Sequence, residues 1–171
     1  MFQEAATGGD AYSQESLAWC YWKGMGVEKD EAIAFEMIEK AAKKGDMYAL
    51  NSLAWFYYTG KVPGEKRVND PRKPSYRKKD YEKAFELTLQ SAEKGNPDAQ
   101  YNVALFYLKG EGTEKDLEKA KIWMAKADRQ GIPEAKQALQ LITLNRGLEM
   151  IADNWFSLGE DSKKESPTNP Q

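Results

Sequence analysis

Residues 17–24 read LAWCYWKG, residues 53–60 read LAWFYYTG and residues 103–110 read VALFYLKG. Each stretch sets a large aliphatic residue before an alanine, carries aromatic or other apolar side chains, holds a tyrosine at its fifth place and stops on glycine. Read alone, the first stretch resembles a ligand or redox pocket around Cys20. Read three times, it is a structural beat. Cys20 then stands where the other copies have Phe56 and Phe106, as a small apolar packing residue rather than a nucleophile.

The beat extends outward on both sides. Gly9 and Gly45, and likewise Gly24 and Gly60, lie 36 residues apart. Gly45 to Gly95 is 50 residues, and Gly95 to Gly131 is 36 again. Asp30, Asp80 and Asp116 keep the same spacings, as do Ala34, Ala84 and Ala120. A repeat of this length is the mark of a stacked architecture. The longer middle unit carries its extra residues in the insert 61–79, KVPGEKRVNDPRKPSYRKK.

Each unit reads as two helices. The first starts at Asp10, Asp46 or Asn96 and the second at Asp30, Asp80 or Asp116. A short polar side chain there accepts from unpaired helical N–H groups. Glycines close the helices, because a left-handed C-terminal cap favours them. Alanines at Ala18, Ala54 and Ala104 let helix backbones approach, and the large neighbours fill the gaps. One such pair cannot bury its own apolar face, whereas stacked pairs can. The expected fold is all-α, a right-handed α-α superhelix (solenoid). It comprises about three repeats (10–45, 46–95, 96–131), then a partial repeat and capping helix pair (132–158). The polar segment 159–171 is expected to be a flexible tail.

The segments LAWCYWKGMGVEKDEAIAFEMIEKAAKKG (17–45) and AQYNVALFYLKGEGTEKDLEKAKIWMAKADRQG (99–131) resemble Sel1-like repeats, relatives of tetratricopeptide repeats. The resemblance runs from about Gly8 to Ile142. Alanine replaces the usual second-position glycine, and Met37 and Leu87 stand where Trp123 keeps the family tryptophan. Phe2 to Gly9 aligns with Ile38 to Gly45, so the chain is expected to start inside the last turns of a second helix. The resemblance implies an adaptor role without catalysis.

Stacked as in tetratricopeptide repeats, the first helices would turn Tyr12, Glu15, Trp19 and Trp22 toward a concave wall. The second repeat would add Tyr48, Asn51, Trp55 and Tyr58, and the third Asp98, Tyr101, Leu105 and Leu108. Rigid aromatic side chains dominate binding hot spots, so this wall is the candidate partner site. Tyr21, Tyr57 and Tyr107 are expected in the core.

The insert is the second candidate. It holds Lys61, Lys66, Arg67, Arg72, Lys73, Arg77, Lys78 and Lys79 against Glu65 and Asp70, so its net charge is +6 in a chain of net charge −2. It is suited to steer an acidic protein partner. Nucleic-acid or acidic-ligand binding through 61–79 is the alternative reading, although a sequence pI near 5.4 lacks the broad basic stripe of nucleic-acid binders.

Composition bears on chemistry. The chain contains no histidine and one cysteine, so Ser-His, Cys-His and His-built zinc sites are excluded. A carboxylate-based hydrolase is the remaining catalytic alternative, and the scattered carboxylates show no poised pair. The expectation is therefore a non-enzyme, without metal or cofactor. It would be a protein–protein interaction scaffold, possible forms being an adaptor and a toxin-neutralising immunity or inhibitor protein. Mean hydropathy is −0.76. With no membrane span, no leader-like start and a single cysteine, the expected location is cytoplasmic.

Overall fold

The computed structural model describes residues 11–63 and 79–143, with side chains from Gln14 onward. The expected amino-terminal stub, most of the insert, the capping pair beyond Thr143 and the tail lie outside the described residues. Seven helices are described: α1 (Ala11–Lys23), α2 (Glu31–Lys43), α3 (Met47–Thr59), α4 (Tyr81–Glu93), α5 (Pro97–Lys109), α6 (Leu117–Arg129) and α7 (Pro133–Thr143). They fall into two units, Met1–Asn96 and Pro97–Gln171.

In the first unit each helix packs on the next, and α1 also touches α3. The start of each second helix is set by an aspartate. Asp30 Oδ1 accepts from the Ala32 and Ile33 N–H groups at 3.0 and 2.9 Å. Asp80 Oδ1 accepts from the Lys83 N–H at 2.9 Å. Asp46 caps α3 in the same way, accepting from the Ala49 N–H at 2.7 Å. Each of these caps stabilises its helix by about 1 kcal/mol.

The ends are closed by backbone geometry. After α2, the Gly45 N–H donates to the Ala42 carbonyl and the Asp46 N–H to the Ala41 carbonyl, at 2.9 and 3.2 Å. Gly45 sits at φ +83°, in the left-handed region. This double bond pattern turns the chain back sharply and satisfies two orphan carbonyls. The same closure follows α4, where the Asn96 N–H donates to the Ser91 carbonyl at 3.2 Å.

The insert leaves the helix pair unchanged at its root. In the short first repeat the Asp30 N–H donates to the Tyr21 carbonyl at 2.9 Å. Across the long insert the Asp80 N–H donates to the equivalent Tyr57 carbonyl, also at 2.9 Å. The second helix therefore returns to one docking point whatever the length of chain between. Val62, just inside the insert, is buried.

In the second unit α5 packs on α6 and α6 on α7. The motif recurs: the Asp116 N–H donates to the Tyr107 carbonyl at 3.0 Å, and Asp116 Oδ1 accepts from the Lys119 N–H at 2.9 Å. The core here joins Tyr101, Ala104, Leu105, Met124, Ala127, Ala135, Ala138 and Ile142.

The recurring alanines behave as the spacing requires. Ala18, Ala54 and Ala104 are fully enclosed, and so are Ala34, Ala84 and Ala120. A side chain larger than methyl there would push neighbouring backbones apart, at a cost of about 1–3 kcal/mol. Gln140, at the matching place in α7, is exposed, so close packing at this position stops with α5. Cys20 is half-buried, whereas Phe56 and Phe106 at the matching positions are fully buried. The shorter side chain does not reach the depth that a phenyl ring fills.

Candidate functional site

The aromatic stripe of the first helices lies mostly inside the first unit. Trp19, Trp22 and Trp55 are only 6%, 8% and 5% exposed. Their expected placement on an open wall is corrected by the neighbours they find. The Trp19 and Trp55 rings stand 5.4 Å apart at 70°, and Trp22 and Trp55 stand 5.8 Å apart at 88°. Phe56 lies 4.9 Å from Trp22 and 5.1 Å from Trp55, and Phe35 of α2 adds an edge at 5.3 Å from Phe56. Edge-to-face pairing places the positive rim of one ring on the negative face of another, and each such pair adds about 0.5–1.5 kcal/mol beyond burial. Helical spacing brings these rings onto one side, and their mutual affinity then draws them in.

A polar bracket holds the cluster. Glu15 Oε1 accepts from the Trp19 indole N–H at 3.2 Å and from the Ser52 hydroxyl at 2.7 Å. Glu15 is half-buried, and the bracket ties α1 to α3. Lys61 also rests on the cluster, with its ammonium 4.5 Å from the centre of the Trp55 ring.

What remains outward on α3 is a narrower stripe. Tyr48 is 37% exposed, and Asn51 and Tyr58 are half-buried. The Tyr58 ring is 5.1 Å from Tyr81 of α4, which holds it in place. Tyr12 lies in α1, and its side chain is outside the described residues.

In the second unit Tyr101 is 3% exposed and Leu105 is fully enclosed, so both are core rather than wall. They pack against Met124, Ala127, Ala135 and Ile142. Burial pushes the Tyr101 phenol above its ordinary pKa, and the nearby Glu134 carboxylate adds to the shift. Leu108 is half-buried against the same core. Tyr107, expected inside, is buried, whereas Tyr21 and Tyr57 are half-buried.

Of the basic insert, Lys61 and Lys79 are described. Lys79 is exposed, with its ammonium 5.9 Å from the Tyr81 ring. Lys66, Arg67, Arg72, Lys73, Arg77 and Lys78 lie outside the described residues. Among the described residues no group of histidine, cysteine, aspartate or glutamate is arranged to hold a metal ion. No described helix is long and apolar enough to cross a membrane.

Sequence reasoning missed the Glu15–Ser52 bracket and the seat of Lys61 on Trp55. The first depends on how one helix pair stacks on the next, and the second on how the backbone turns at Gly60 after α3. Glu15, one turn before Trp19, carried a signal for the first: an acid four residues from an indole can accept its N–H along a helix.

Comparison with known proteins agrees with the helix pairing. The family model described as Sel1 repeat matches residues 11–46, 48–73, 75–96 and 97–132. The second and third of these segments take in α3 and α4, the two helices that flank the insert. A search of curated proteins returns no match. Among solved structures the chain is similar to a Sel1 repeat protein from Oxalobacter formigenes. The two share 32% identity at a TM-score of 0.66, over 81% of this chain and 94% of that one. It is also similar to c5321, described as a protective antigen present in uropathogenic Escherichia coli strains displaying an SLR fold. There the identity is 30% and the TM-score 0.64, over 91% of this chain but 31% of that one. With the family model matched over most of its length, and with its caps and packing alanines recurring in register, the chain belongs to the Sel1 repeat family.

Proposed function

We propose that the chain is a non-catalytic scaffold that binds another protein through the outward stripe of α3. The observation that carries this reading is the rigid setting of that stripe. Tyr48, Asn51 and Tyr58 share one side of α3 with Trp55, whose ring is held by Trp19, Trp22 and Phe56. A preorganised aromatic surface loses little conformational entropy when a partner docks, so more of the contact energy appears as affinity. Membership of a helical repeat family supports the same reading, since stacked repeats expose long faces suited to protein contact.

The insert refines the partner's chemistry. Its net charge of +6 favours an acidic protein surface and speeds encounter with it. The narrower form of the proposal is a cytoplasmic immunity or inhibitor protein that neutralises one enzyme. A small chain without histidine and with a single cysteine suits that role. The test is affinity capture with the wild-type chain and with Tyr48→Glu/Tyr58→Glu, each checked by circular dichroism. One partner, bound one-to-one, retained by wild type and lost by the folded variant supports the scaffold. Equal retention by both removes α3 as the site. Block of that partner's enzymatic activity would support the inhibitor form, and several unrelated partners would favour an adaptor.

A further inference from the structure

The indole cluster of the first unit has the composition of a cation seat. Trp55 meets Trp19 at 70° and Trp22 at 88°, so the rings make corners rather than a stack. Indole faces are the best aromatic partners for ammonium groups. The Glu15 carboxylate is fixed beside the cluster by the Trp19 N–H and the Ser52 hydroxyl. An ammonium already lies on the cluster: that of Lys61, 4.5 Å from the Trp55 centroid.

Lys61 is delivered there by the backbone. It follows Gly60, which caps α3 at φ +73°, and it precedes the buried Val62. Both neighbours are fixed, so the lysine stem starts from a set place above the ring. The arrangement belongs to the middle repeat. Where Gly60 is followed by Lys61, Gly24 is followed by Met25 and Gly110 by Glu111. Met25 is 51% exposed. The third repeat has Leu105 and Leu108 in place of the two indoles Trp19 and Trp22 of the first.

We propose that Trp55, with Trp19, Trp22 and Glu15 around it, is a binding seat for an alkylammonium group of a partner protein, a lysine or methylated lysine side chain, and that Lys61 fills this seat in the free chain. Lys61 is then an intramolecular competitor. The partner's ammonium enters by displacing it, and the apparent affinity is lowered by the fraction of time Lys61 occupies the ring. This rests on the scaffold reading and adds a specific side-chain chemistry to it.

The experiment uses the full chain and its tryptophan fluorescence. Wild type, Lys61→Ala and Lys61→Ala/Trp55→Leu are titrated at constant ionic strength with Nα-acetyl-lysine amide, its trimethylated form and choline. Leucine is chosen because Leu105 occupies the matching place in the third repeat. Circular dichroism of each variant confirms that it is folded.

Lys61→Ala is expected to bind the lysine amides about tenfold more tightly than wild type, the scale of one cation–π contact. Trp55→Leu is expected to abolish the saturable response. Equal affinity of wild type and Lys61→Ala, or no saturable response in folded Lys61→Ala, overturns the seat. Tighter binding of choline than of either lysine amide overturns the assignment to a protein side chain. Should the Trp55→Leu chain not fold, Trp55→Phe replaces it, with a weakened response expected and an unchanged one contradicting the proposal. Partner capture through Tyr48 is measured separately, so failure of the seat and failure of the scaffold reading are told apart.

Discussion

Glu15 Oε1 accepts the Ser52 hydroxyl at 2.7 Å, joining two helices of successive repeats across 37 residues of sequence. The same oxygen holds the Trp19 indole N–H. Removing the carboxylate leaves two donors beside an apolar cluster without their acceptor. Glu15→Ala is expected to lower unfolding free energy by about 1–3 kcal/mol, and Ser52→Ala by about 0.5–1.5 kcal/mol. A double-mutant cycle in urea should return a coupling of about 0.5–3 kcal/mol between the pair. Strict additivity would mean that the bracket does not join the repeats.

Trp55 is a core residue on this account. Trp55→Ala is expected to cost about 3–5 kcal/mol, a large share of the roughly 5–15 kcal/mol that stabilises an ordinary domain. Trp19→Ala should behave alike. Denaturant midpoints measure this, with circular dichroism as the signal. A Trp55→Ala chain as stable as wild type would return the indole to an open wall.

Asp116 gives the second unit a pH dependence of known sign. The Lys119 backbone N–H holds its carboxylate below the ordinary aspartate range, and the Lys119 ammonium helps. The folded pKa is depressed, so the contribution is present above the unfolded value of about 3.9 and is lost as pH falls through the folded one. Asp116→Asn keeps a capping oxygen but cannot titrate. Its stability relative to wild type should therefore rise as pH falls through that window, which denaturation at a series of acidic pH values would show.

Tyr101 should titrate above the ordinary tyrosine value of about 10, with burial as the main cause and Glu134 as the lesser one. Glu134→Gln is expected to bring the phenol down only part of the way. NMR of isotope-labelled tyrosine across alkaline pH measures it. A return to the free value would make Glu134, not burial, the dominant cause.

The caps were legible because they are local. Asp30, Asp46, Asp80 and Asp116 reach N–H groups two or three residues away, so the sequence window contains both partners. The alanines were legible because three copies agree in register, and closely packed helices admit only a small residue there. Depth of burial was not legible for the indoles. Helical spacing gives the direction in which Trp19 and Trp55 leave their helices, not how far the next helix covers them. Tyr101 and Leu105 were misplaced on the same ground, since α6 and α7 enclose a face that periodicity alone leaves open. Lys61 was read only as a charge, because nothing in a chain of basic residues marks one of them as resting on a ring.

Site-specific photocrosslinking addresses the scaffold claim most directly. A photoreactive phenylalanine analogue replaces Tyr48 on α3 or, as a control, the exposed Glu36 on α2. The account predicts one crosslinked partner protein from position 48 in the cells that make the chain, and none from position 36. No adduct from position 48, or the same adducts from both positions, would contradict it.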